Sequence, residues 1–426
     1  MQMKASELKN RINEGALLKY RELYACPEGQ RARFISAIDT FISLYGDKEA
    51  ELLSVPGRSE ISGNHTDHNR GCVLAGAIDR DVIAVAARNT DGVIRFYSEG
   101  YDREEIVVAD CSDPGKFEKY TSSSLIAGTV NGFLDKGYEV GGFDIAITSE
   151  VLKGSGISSS AAFEVMIGNA LNYLYNGGKV ANTEIAKLAQ YAENVYFGKP
   201  CGLMDQMACA VGGFVFIDFE DVKNPEVTPI DFSLDKAGYA LCIVNTGGNH
   251  ADLNEDYASV PREMKAVAKE LGREVLRGTS EGELIAKIPE LREKLGDRAV
   301  LRALHFIREN KRVEKAKAAL LESRLDGFFE VVNSSGASSF KYLQNVYTTI
   351  NVSEQGLSLA LALADGFLGG EGASRVHGGG FAGTVQIFVR KERLGELTAL
   401  MDSVFGVGSA MALNVRPVGA CRLDLT

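Results

Sequence analysis

Apolar positions over residues 143–174 follow two different spacings, and a polar loop separates them. Residues 143–148, FDIAIT, alternate between apolar and polar like a half-buried strand. After the loop, apolar side chains recur at helical spacing, which predicts a helix that begins near Ser159 or Ser160. These side chains are Phe163, Met166, Ile167, Ala170, Leu171 and Leu174. The pattern therefore predicts a strand, a loop rich in glycine and serine, and a helix.

The spacing of apolar residues predicts further elements along the rest of the chain. Residues 1–50 predict helices that pack on the body, the last of which ends at Gly46. Further helices are predicted over 121–137, 183–197, 259–300, 300–345, 357–368 and 391–405. Strands are predicted over 82–88, 93–98, 105–110, 212–218, 239–245, 384–389 and 412–422. Residues 220–235 contain two prolines and predict a loop, where we place a domain boundary.

The glycine- and serine-rich loop has the chemistry of an anion site. Gly154 and Gly156 let the backbone approach a ligand closely, and the helix that follows offers unpaired N–H groups and a partial positive charge. Phosphate suits such a site. The alternative is an ordinary connecting loop with serine caps. No GxxxxGK[ST] pattern occurs in the chain, so a P-loop is not predicted.

Composition narrows the class of protein. With 426 residues, 45% hydrophobic and 24% charged, the chain is expected to fold into two globular domains. No apolar run approaches the roughly 18 residues of a membrane helix, and the charged N-terminus does not predict a signal peptide. A net charge of −11 disfavours nucleic acid or an anionic membrane as partner. Seven scattered cysteines suit a reducing cytosol, so a cytoplasmic protein is predicted.

The loop sequence GxGxxSSA resembles the middle signature of the GHMP small-molecule kinases. By that resemblance the loop holds the phosphates of a nucleotide. The residues implied are Gly154, Ser155, Gly156, Ser158, Ser159 and Ser160.

Residues 56–71 resemble the galactokinase signature PGRxNLIGEHTDYNGG. The matching positions are Pro56, Gly57, Arg58, Gly63, His65, Thr66, Asp67, Asn69 and Gly71. The resemblance implies that Arg58 lies beside the reacting hydroxyl and that Asp67 binds sugar hydroxyls, with His65 in the same pocket. A carboxylate accepts two vicinal hydroxyls, and a guanidinium stabilises developing negative charge. The alternative is a polar turn with a solvated arginine and aspartate.

Four positions depart from that signature, and one bears on the sugar. Asn64 replaces a glutamate that contacts the hydroxymethyl end of the sugar in the family; the others are Glu60, Ser62 and His68. Asn64 removes a negative charge and adds a donor. A pocket without that charge would accept a carboxylate at C6 or a sugar lacking C6, so galacturonate and L-arabinose are alternative substrates. A protonated His68 would also serve a C6 acid, although a loop histidine is more often structural.

The segment AENVYFGKPCGLMDQ resembles the galactokinase stretch AExxFxGxPCGxMDQ. The resemblance implies that Asp205 is the catalytic base or orients the anomeric hydroxyl, and that Glu193 and Ser159 ligate Mg²⁺. Mg²⁺ prefers such oxygen ligands, completed by phosphate. Two alternatives stay open, namely a structural ion pair between Asp205 and Arg58 and a plain surface position for Glu193.

A third motif, GASRVHGGGFAGT over 372–384, resembles the family's GARMTGAGFGGCTV. Its glycines, Gly378 to Gly380, are implied to support the site. Tyr257 ends a segment, residues 255–257, that resembles one whose tyrosine contacts the sugar in the family, and a core-packed tyrosine is the alternative. The chain contains no tryptophan, whereas the family places one near the adenine, so the base must be held differently here.

Together these motifs identify the chain as a member of the galactokinase family of GHMP kinases. The resemblance implies an α+β fold with a ribosomal S5-like N-terminal domain, 1–228, a ferredoxin-like C-terminal domain, 229–426, and the active site between them. It also implies transfer of a phosphoryl group from ATP, with Mg²⁺, to the anomeric hydroxyl of galactose or a related sugar. Sugar and ATP are the expected partners of a monomer. A sugar-sensing regulator without turnover is the alternative of another class.

Overall fold

The computed structural model describes residues 3–151, 156–199, 201–248 and 253–426. Its contacts divide the chain into two units. Unit 1 comprises Met1–Arg58, Ala77–Gly213 and Arg416–Thr426, and unit 2 comprises Ser59–Gly76 and Phe214–Val415. The sequence analysis predicts two domains, 1–228 and 229–426, that meet at a single boundary. Each unit instead consists of separate segments of the chain. The two domains stay a prediction.

The elements of the described residues are numbered in chain order. The strands are β1 (Met3–Lys4), β2 (Glu49–Ser62), β3 (Cys72–Arg88), β4 (Val93–Ser98), β5 (Glu104–Val107), β6 (Phe143–Ser149), β7 (Phe214–Asp218), β8 (Glu226–Ile230), β9 (Tyr239–Asn245), β10 (Ala373–His377), β11 (Thr384–Arg390), β12 (Ala410–Leu413) and β13 (Cys421–Arg422). The helices are α1 (Ala5–Asn13), α2 (Arg31–Tyr45), α3 (Ser122–Asp135), α4 (Ser159–Tyr175), α5 (Asn182–Tyr191), α6 (Met204–Val211), α7 (Asn254–Glu270), α8 (Glu281–Leu295), α9 (Asp297–Leu321), α10 (Leu325–Ser338), α11 (Gly356–Leu368) and α12 (Leu394–Phe405).

Unit 1 is built on a mostly antiparallel sheet in the order β1-β2-β3-β6-β4-β5, with β13 added beside β2. Strand β4 runs parallel to its neighbour β6. Ile83, Val85 and Ala87 of β3 pack with α1 and α2 in one core, and the alternate residues Ala84 and Ala86 are equally buried. Both faces of β3 are therefore covered, as the period of two in a strand requires. The predicted packing of the N-terminal helices is confirmed.

The strand–loop–helix unit forms where the apolar pattern places it. Strand β6 and helix α4 begin at Phe143 and Ser159, so both predictions are confirmed. Helix α4 is buried on most of its circumference and packs with α3, α5 and α6. Because those neighbours hold the helix from several sides, its N-terminal serines have a fixed position.

Unit 2 contains a four-stranded antiparallel sheet in the order β10-β11-β9-β12. Helices α11 and α12 pack on it in one apolar core, and α7, α8 and α9 form a second core. Residues 72–76 of β3 pair with β7, which pairs with β8. Both units are thus mixtures of antiparallel strands and separate helices, and the predicted α+β class is confirmed.

Strands β8 and β10 were not predicted, and the single strand predicted over 412–422 is instead two separate strands, β12 and β13. Residues 220–235, predicted as a loop, contain β8, in which Pro229 pairs with Val215. Strand β8 pairs only with β7 among the described residues, and an edge strand tolerates proline because one side of its backbone needs no donor. Within the third motif no strand is predicted before residue 384, but residues 373–377 form β10, the first strand of a hairpin with β11.

The helices were compared with the length and composition of a membrane span. Within the described ranges, none combines the length and the apolar composition needed to cross a bilayer.

Candidate active site

Arg58 and Asp205 form a two-point ion pair in unit 1. Nε and Nη2 of Arg58 donate to the two oxygens of Asp205, each over 2.8 Å, and Nη1 donates to the carbonyl of Gly156 over 2.7 Å. The Arg58 side chain is 9% exposed and that of Asp205 is 35% exposed. The guanidinium is therefore fixed in orientation, while the carboxylate stays open on one side. The alternative of a solvated Arg58 is wrong, and the ion pair with Asp205 is present.

Ser158 completes this arrangement from the residue before α4. Its hydroxyl donates to Oδ2 of Asp205 over 2.5 Å, and its backbone adopts φ 64° and ψ 60°. A non-glycine residue in the left-handed region carries strain, which is often found at functional sites. Burial alone would raise the pKa of Asp205, but the charge of Arg58 and the donors from Arg58 and Ser158 lower it below its ordinary value. Asp205 is therefore a carboxylate at neutral pH.

The described members of the predicted phosphate set lie in the first turn of α4 or just before it. Gly156 has a φ of +74° and is exposed, and Ser158, Ser159 and Ser160 are partly exposed. Ser159 is the first residue of the helix. Gly154 and Ser155 lie outside the described residues. An accessible N-terminus of a 17-residue helix has the unpaired N–H groups and the dipole that favour phosphate.

Glu193, the predicted metal ligand, lies in a π-helical turn, Ala192–Phe197, that continues α5. Such turns are frequent at functional sites. The residue is only 3% exposed, so the alternative of a plain surface position is wrong. Nε2 of Gln206 donates to its Oε2 over 2.8 Å, and Nζ of Lys199 lies 3.5 Å from its Oε1. A hydrogen bond thus fixes Oε2, whereas Oε1 faces only the loose ion pair with Lys199.

Glu164 of α4 belongs to the same cluster. Gln206 Nε2 also donates to Oε2 of Glu164 over 3.2 Å. Burial, followed by the charge of Glu193, raises the pKa of Glu164 well above its ordinary value. Oε1 of Glu164 and Oε1 of Gln206 are both buried without a hydrogen-bond partner among the described residues. Protonation of Glu164 supplies a hydrogen-bond donor to a cluster in which these two buried oxygens lack one.

The neutral form of Glu164 makes a testable prediction. Glu164→Gln preserves the shape and supplies an N–H donor in place of the acid O–H, so we expect kcat within about threefold of wild type, in the range of a near-isosteric change. ADP release and the midpoint of thermal unfolding measure this. Glu193→Gln is the matched control, in which the proposed metal ligand loses its carboxylate and activity should fall. A loss of 100-fold or more in Glu164→Gln would show that an ionised Glu164 is required.

Three predicted sugar residues in unit 2 converge on the glycine turn, which we define as Gly378 to Gly380. Nδ2 of Asn64 donates to the Gly378 carbonyl over 2.7 Å, Nε2 of His65 to the Gly379 carbonyl over 2.9 Å, and the hydroxyl of Tyr257 to the Gly380 carbonyl over 2.7 Å. Burial lowers the pKa of His65 to about 4. His65 is therefore a neutral donor at neutral pH.

The Asn64 amide has protein partners on both of its polar atoms. Nδ2 also donates to Oε1 of Glu60 over 3.0 Å, and Oδ1 accepts from Nδ2 of Asn345 over 2.7 Å. Glu60 is 7% exposed, and its Oε1 lies 3.7 Å from Nη2 of the buried Arg375. Asn64 has no carboxylate of its own, but it is hydrogen-bonded to the carboxylate of Glu60.

Asp67 is the most available carboxylate of this segment. Its side chain is 22% exposed, and Oδ1 accepts from the backbone N–H of His68 over 2.9 Å. Nε2 of His68 lies 3.7 Å from the same oxygen in a half-exposed pair. Within the described part of the chain, Oδ2 has no hydrogen-bond partner, so Asp67 can accept from a ligand hydroxyl.

Two family models match segments that contain residues of both the Arg58–Asp205 group and the group around Asn64. The model of the GHMP kinases N terminal domain matches residues 124–213, and the galactokinase galactose-binding signature matches residues 39–88. The galactokinase of Streptomyces coelicolor is 33% identical over 384 residues, which cover 88% of this chain and 94% of that relative. The chain belongs to the galactokinase family. A galactokinase of Actinobacillus pleuropneumoniae serotype 3 is 30% identical over 86% of this chain and 92% of its own.

Solved structures agree with this galactokinase-family assignment. The crystal structure of Lactococcus lactis galactokinase complexed with galactose has a TM-score of 0.75 and 25% identity, and the match covers 90% of this chain and 98% of that one. Methanococcus jannaschii mevalonate kinase, at a TM-score of 0.60 and 16% identity over 85% and 98% of the two chains, shows the shared fold alone. The predicted GHMP kinase fold and phosphotransferase class are confirmed.

Several residues of the galactokinase-family site were missed from sequence. Glu164 gave one signal, a charged residue inside the apolar stripe of α4. Gln206 stands beside Asp205 in a quoted motif, but its bridge between two glutamates depends on the tertiary structure. Asn345 gave no signal, because its partners Asn64 and Gly379 are distant in sequence.

Proposed function

We propose that this protein transfers the γ-phosphoryl group of ATP to the anomeric hydroxyl of galactose, forming galactose 1-phosphate and ADP. The observation that carries the proposal is the Arg58–Asp205 pair, in which a carboxylate with an open side lies against a fixed guanidinium. Both residues stem from motifs of the family to which the chain belongs. Phosphoryl transfer depends mainly on alignment and charge neutralisation, and this pair offers both.

Asp205 and Arg58 have different roles toward the sugar hydroxyl in this proposal. Asp205 accepts the hydrogen bond of the anomeric hydroxyl and takes its proton as the new O–P bond forms. Its lowered pKa makes it a weak base, so orientation of the hydroxyl is a large part of its contribution. Arg58 keeps its charge throughout and stabilises the negative oxygen that develops.

The nucleotide phosphates bind at the N-terminus of α4 in this proposal, and Mg²⁺ is held by Ser159 and Glu193. The donor set fits the ion, since Mg²⁺ takes oxygen ligands and completes its shell with phosphate and water. Among the residues described, no group of three or more histidine, cysteine, aspartate or glutamate side chains could hold a metal. The ion would therefore depend on the nucleotide for further ligands. When bound, it neutralises phosphate charge.

In the sugar site, Asp67 accepts sugar hydroxyls, and Asn64, His65 and Tyr257 shape the pocket through the glycine turn. Glu60 favours galactose over galacturonate as substrate. Its carboxylate is hydrogen-bonded to Asn64, so the segment keeps a carboxylate beside position 64, partly balanced by the guanidinium of Arg375 at 3.7 Å. A uronate brought close to Glu60 would meet like charge, which costs several kcal/mol when water is excluded.

The test is Mg-ATP-dependent ADP release with galactose, galacturonate, L-arabinose, glucose and N-acetylgalactosamine. We expect galactose to exceed galacturonate in kcat/KM by about 100-fold or more. Glu60→Gln should narrow this ratio by about tenfold because it removes the repelling charge.

Glu51→Gln is the matched control, a buried glutamate of the same strand β2, and should leave the ratio unchanged. A preference for galacturonate or L-arabinose would refute the galactose assignment. Sugar and ATP binding without ADP release would indicate the regulator instead. An unchanged ratio in Glu60→Gln would remove Glu60 from the selection of substrate.

A further inference from the structure

Asn345 lies at the centre of the hydrogen bonds that hold the glycine turn. It is fully buried, and its Nδ2 donates to Oδ1 of Asn64 over 2.7 Å and to the carbonyl of Gly379 over 3.0 Å. Both N–H groups of the amide are thereby used. One side chain joins two segments that are more than 300 residues apart in sequence, both of them parts of the proposed sugar site.

The backbone of Asn345 contacts the same turn. Its carbonyl accepts from the N–H of Phe381 over 2.5 Å. Gly380 has a φ of +83°, and a Cβ there would lie 2.0 Å from that carbonyl oxygen. No side chain fits at this point. The backbone of the glycine turn therefore packs closely against Asn345, and this contact requires glycine at position 380.

Backbone strain collects around the same residues. Seven non-glycine residues of the described chain have positive φ. Three of them are direct chain neighbours of Asn64, Asn345 or the glycine turn, namely His65 at 59°, Gln344 at 58° and Phe381 at 61°. Gln344 directly precedes Asn345, and Phe381 directly follows the turn. Such strain persists only where the surroundings determine the backbone strongly, and it clusters at ligand sites. The fold thus maintains three costly conformations to keep this arrangement.

We infer that Asn345 is a positioning residue for sugar binding, which fixes residues 64–67 against the glycine turn without touching the sugar. The inference rests on the proposed function for the nature of the ligand. Asn64 and Gly379 each lose a buried donor when the Asn345 amide is removed, and such acceptors are costly to leave unpaired. The segment that carries Asp67 then loses its fixed register. Among the described residues, none of those assigned to the nucleotide is hydrogen-bonded to Asn345, so we expect the affinity for ATP to stay unchanged.

The experiment compares Asn345→Asp and Asn345→Ser with wild type in steady-state kinetics and in direct galactose titration. Asn345→Asp keeps the volume and removes both donors, and Asn345→Ser avoids a new charge. We expect the KM and Kd for galactose to rise about tenfold or more, while the KM for ATP stays within about twofold. Asn333→Asp is the matched control. Asn333 likewise donates to a backbone carbonyl of the third motif, that of Gly372, over 3.1 Å, but at its far end.

The outcomes separate this inference from the proposed function. A lower midpoint of thermal unfolding with unchanged galactose KM and Kd would make Asn345 a stabilising residue only and overturn the inference. Equal rises in the KM for galactose and ATP would do the same, as would an equal effect of Asn333→Asp. Wild-type protein that neither binds nor phosphorylates galactose would instead refute the proposed function.

Discussion

Asp205→Asn is expected to lower kcat by about 10²- to 10⁴-fold, the usual contribution of a positioned base. Asparagine matches aspartate in size, and it can still accept a hydrogen bond from Arg58 or Ser158. It cannot take a proton from the sugar hydroxyl, and its amide group would present a donor where the hydroxyl needs an acceptor. ADP release at saturating galactose and ATP measures the loss. Galactose and ADP affinities should change by only a few-fold, because the defect lies in the chemical step.

A control is needed because Arg58 loses its counter-ion in this variant, and a buried charge without a partner destabilises the fold. Asp218→Asn provides it. Asp218 accepts from Nη2 of Arg277 over 2.8 Å, in a pair whose side chains are each 17% exposed. Asp218→Asn should lower the midpoint of thermal unfolding with little change in kcat. Full activity in a folded Asp205→Asn protein would refute the catalytic role of Asp205.

Much of the site in unit 1 follows from local sequence. The change from alternating to helical spacing locates β6 and α4, because a strand and a helix impose different periods on their apolar residues. The glycines and serines between them then indicate an anion site at the start of the helix. Resemblance adds that Arg58 and Asp205 act together, and the structure gives the pair its geometry. The roles of the two residues remain a prediction.

Other parts of the site depend on contacts that a sequence pattern does not encode. Glu60 and Asn64 look like two independent departures from a motif, yet they are hydrogen-bonded to each other. Asn64 looks open to a ligand, but its amide is engaged by Glu60, Gly378 and Asn345. Strand β8 was missed because proline argues against a strand unless its edge position is known. Each of these facts requires knowledge of which segments become neighbours.

Arg58→Gln is expected to lower kcat/KM at neutral pH by about 10²- to 10³-fold, the range for losing one electrostatic stabiliser of a transition state. It should also shift the pH dependence. Burial raises the pKa of Asp205, and Arg58 is the first of the groups that lower it. Without that charge the pKa of Asp205 rises, so a smaller fraction is ionised at a given acidic pH. The acid limb of the kcat/KM profile should therefore move to higher pH.

Arg58→Lys separates charge from geometry at the same position. Lysine keeps the positive charge but cannot make the two parallel hydrogen bonds to Asp205 and the third to Gly156. In Arg58→Lys the acid limb of the kcat/KM profile should therefore stay close to its wild-type pH, while kcat falls. Arg277→Gln, which removes the guanidinium from the control pair with Asp218, should leave the profile unchanged. If the acid limb stays in place in Arg58→Gln, the group that titrates there is not Asp205. The proton would then have to leave the sugar by another route.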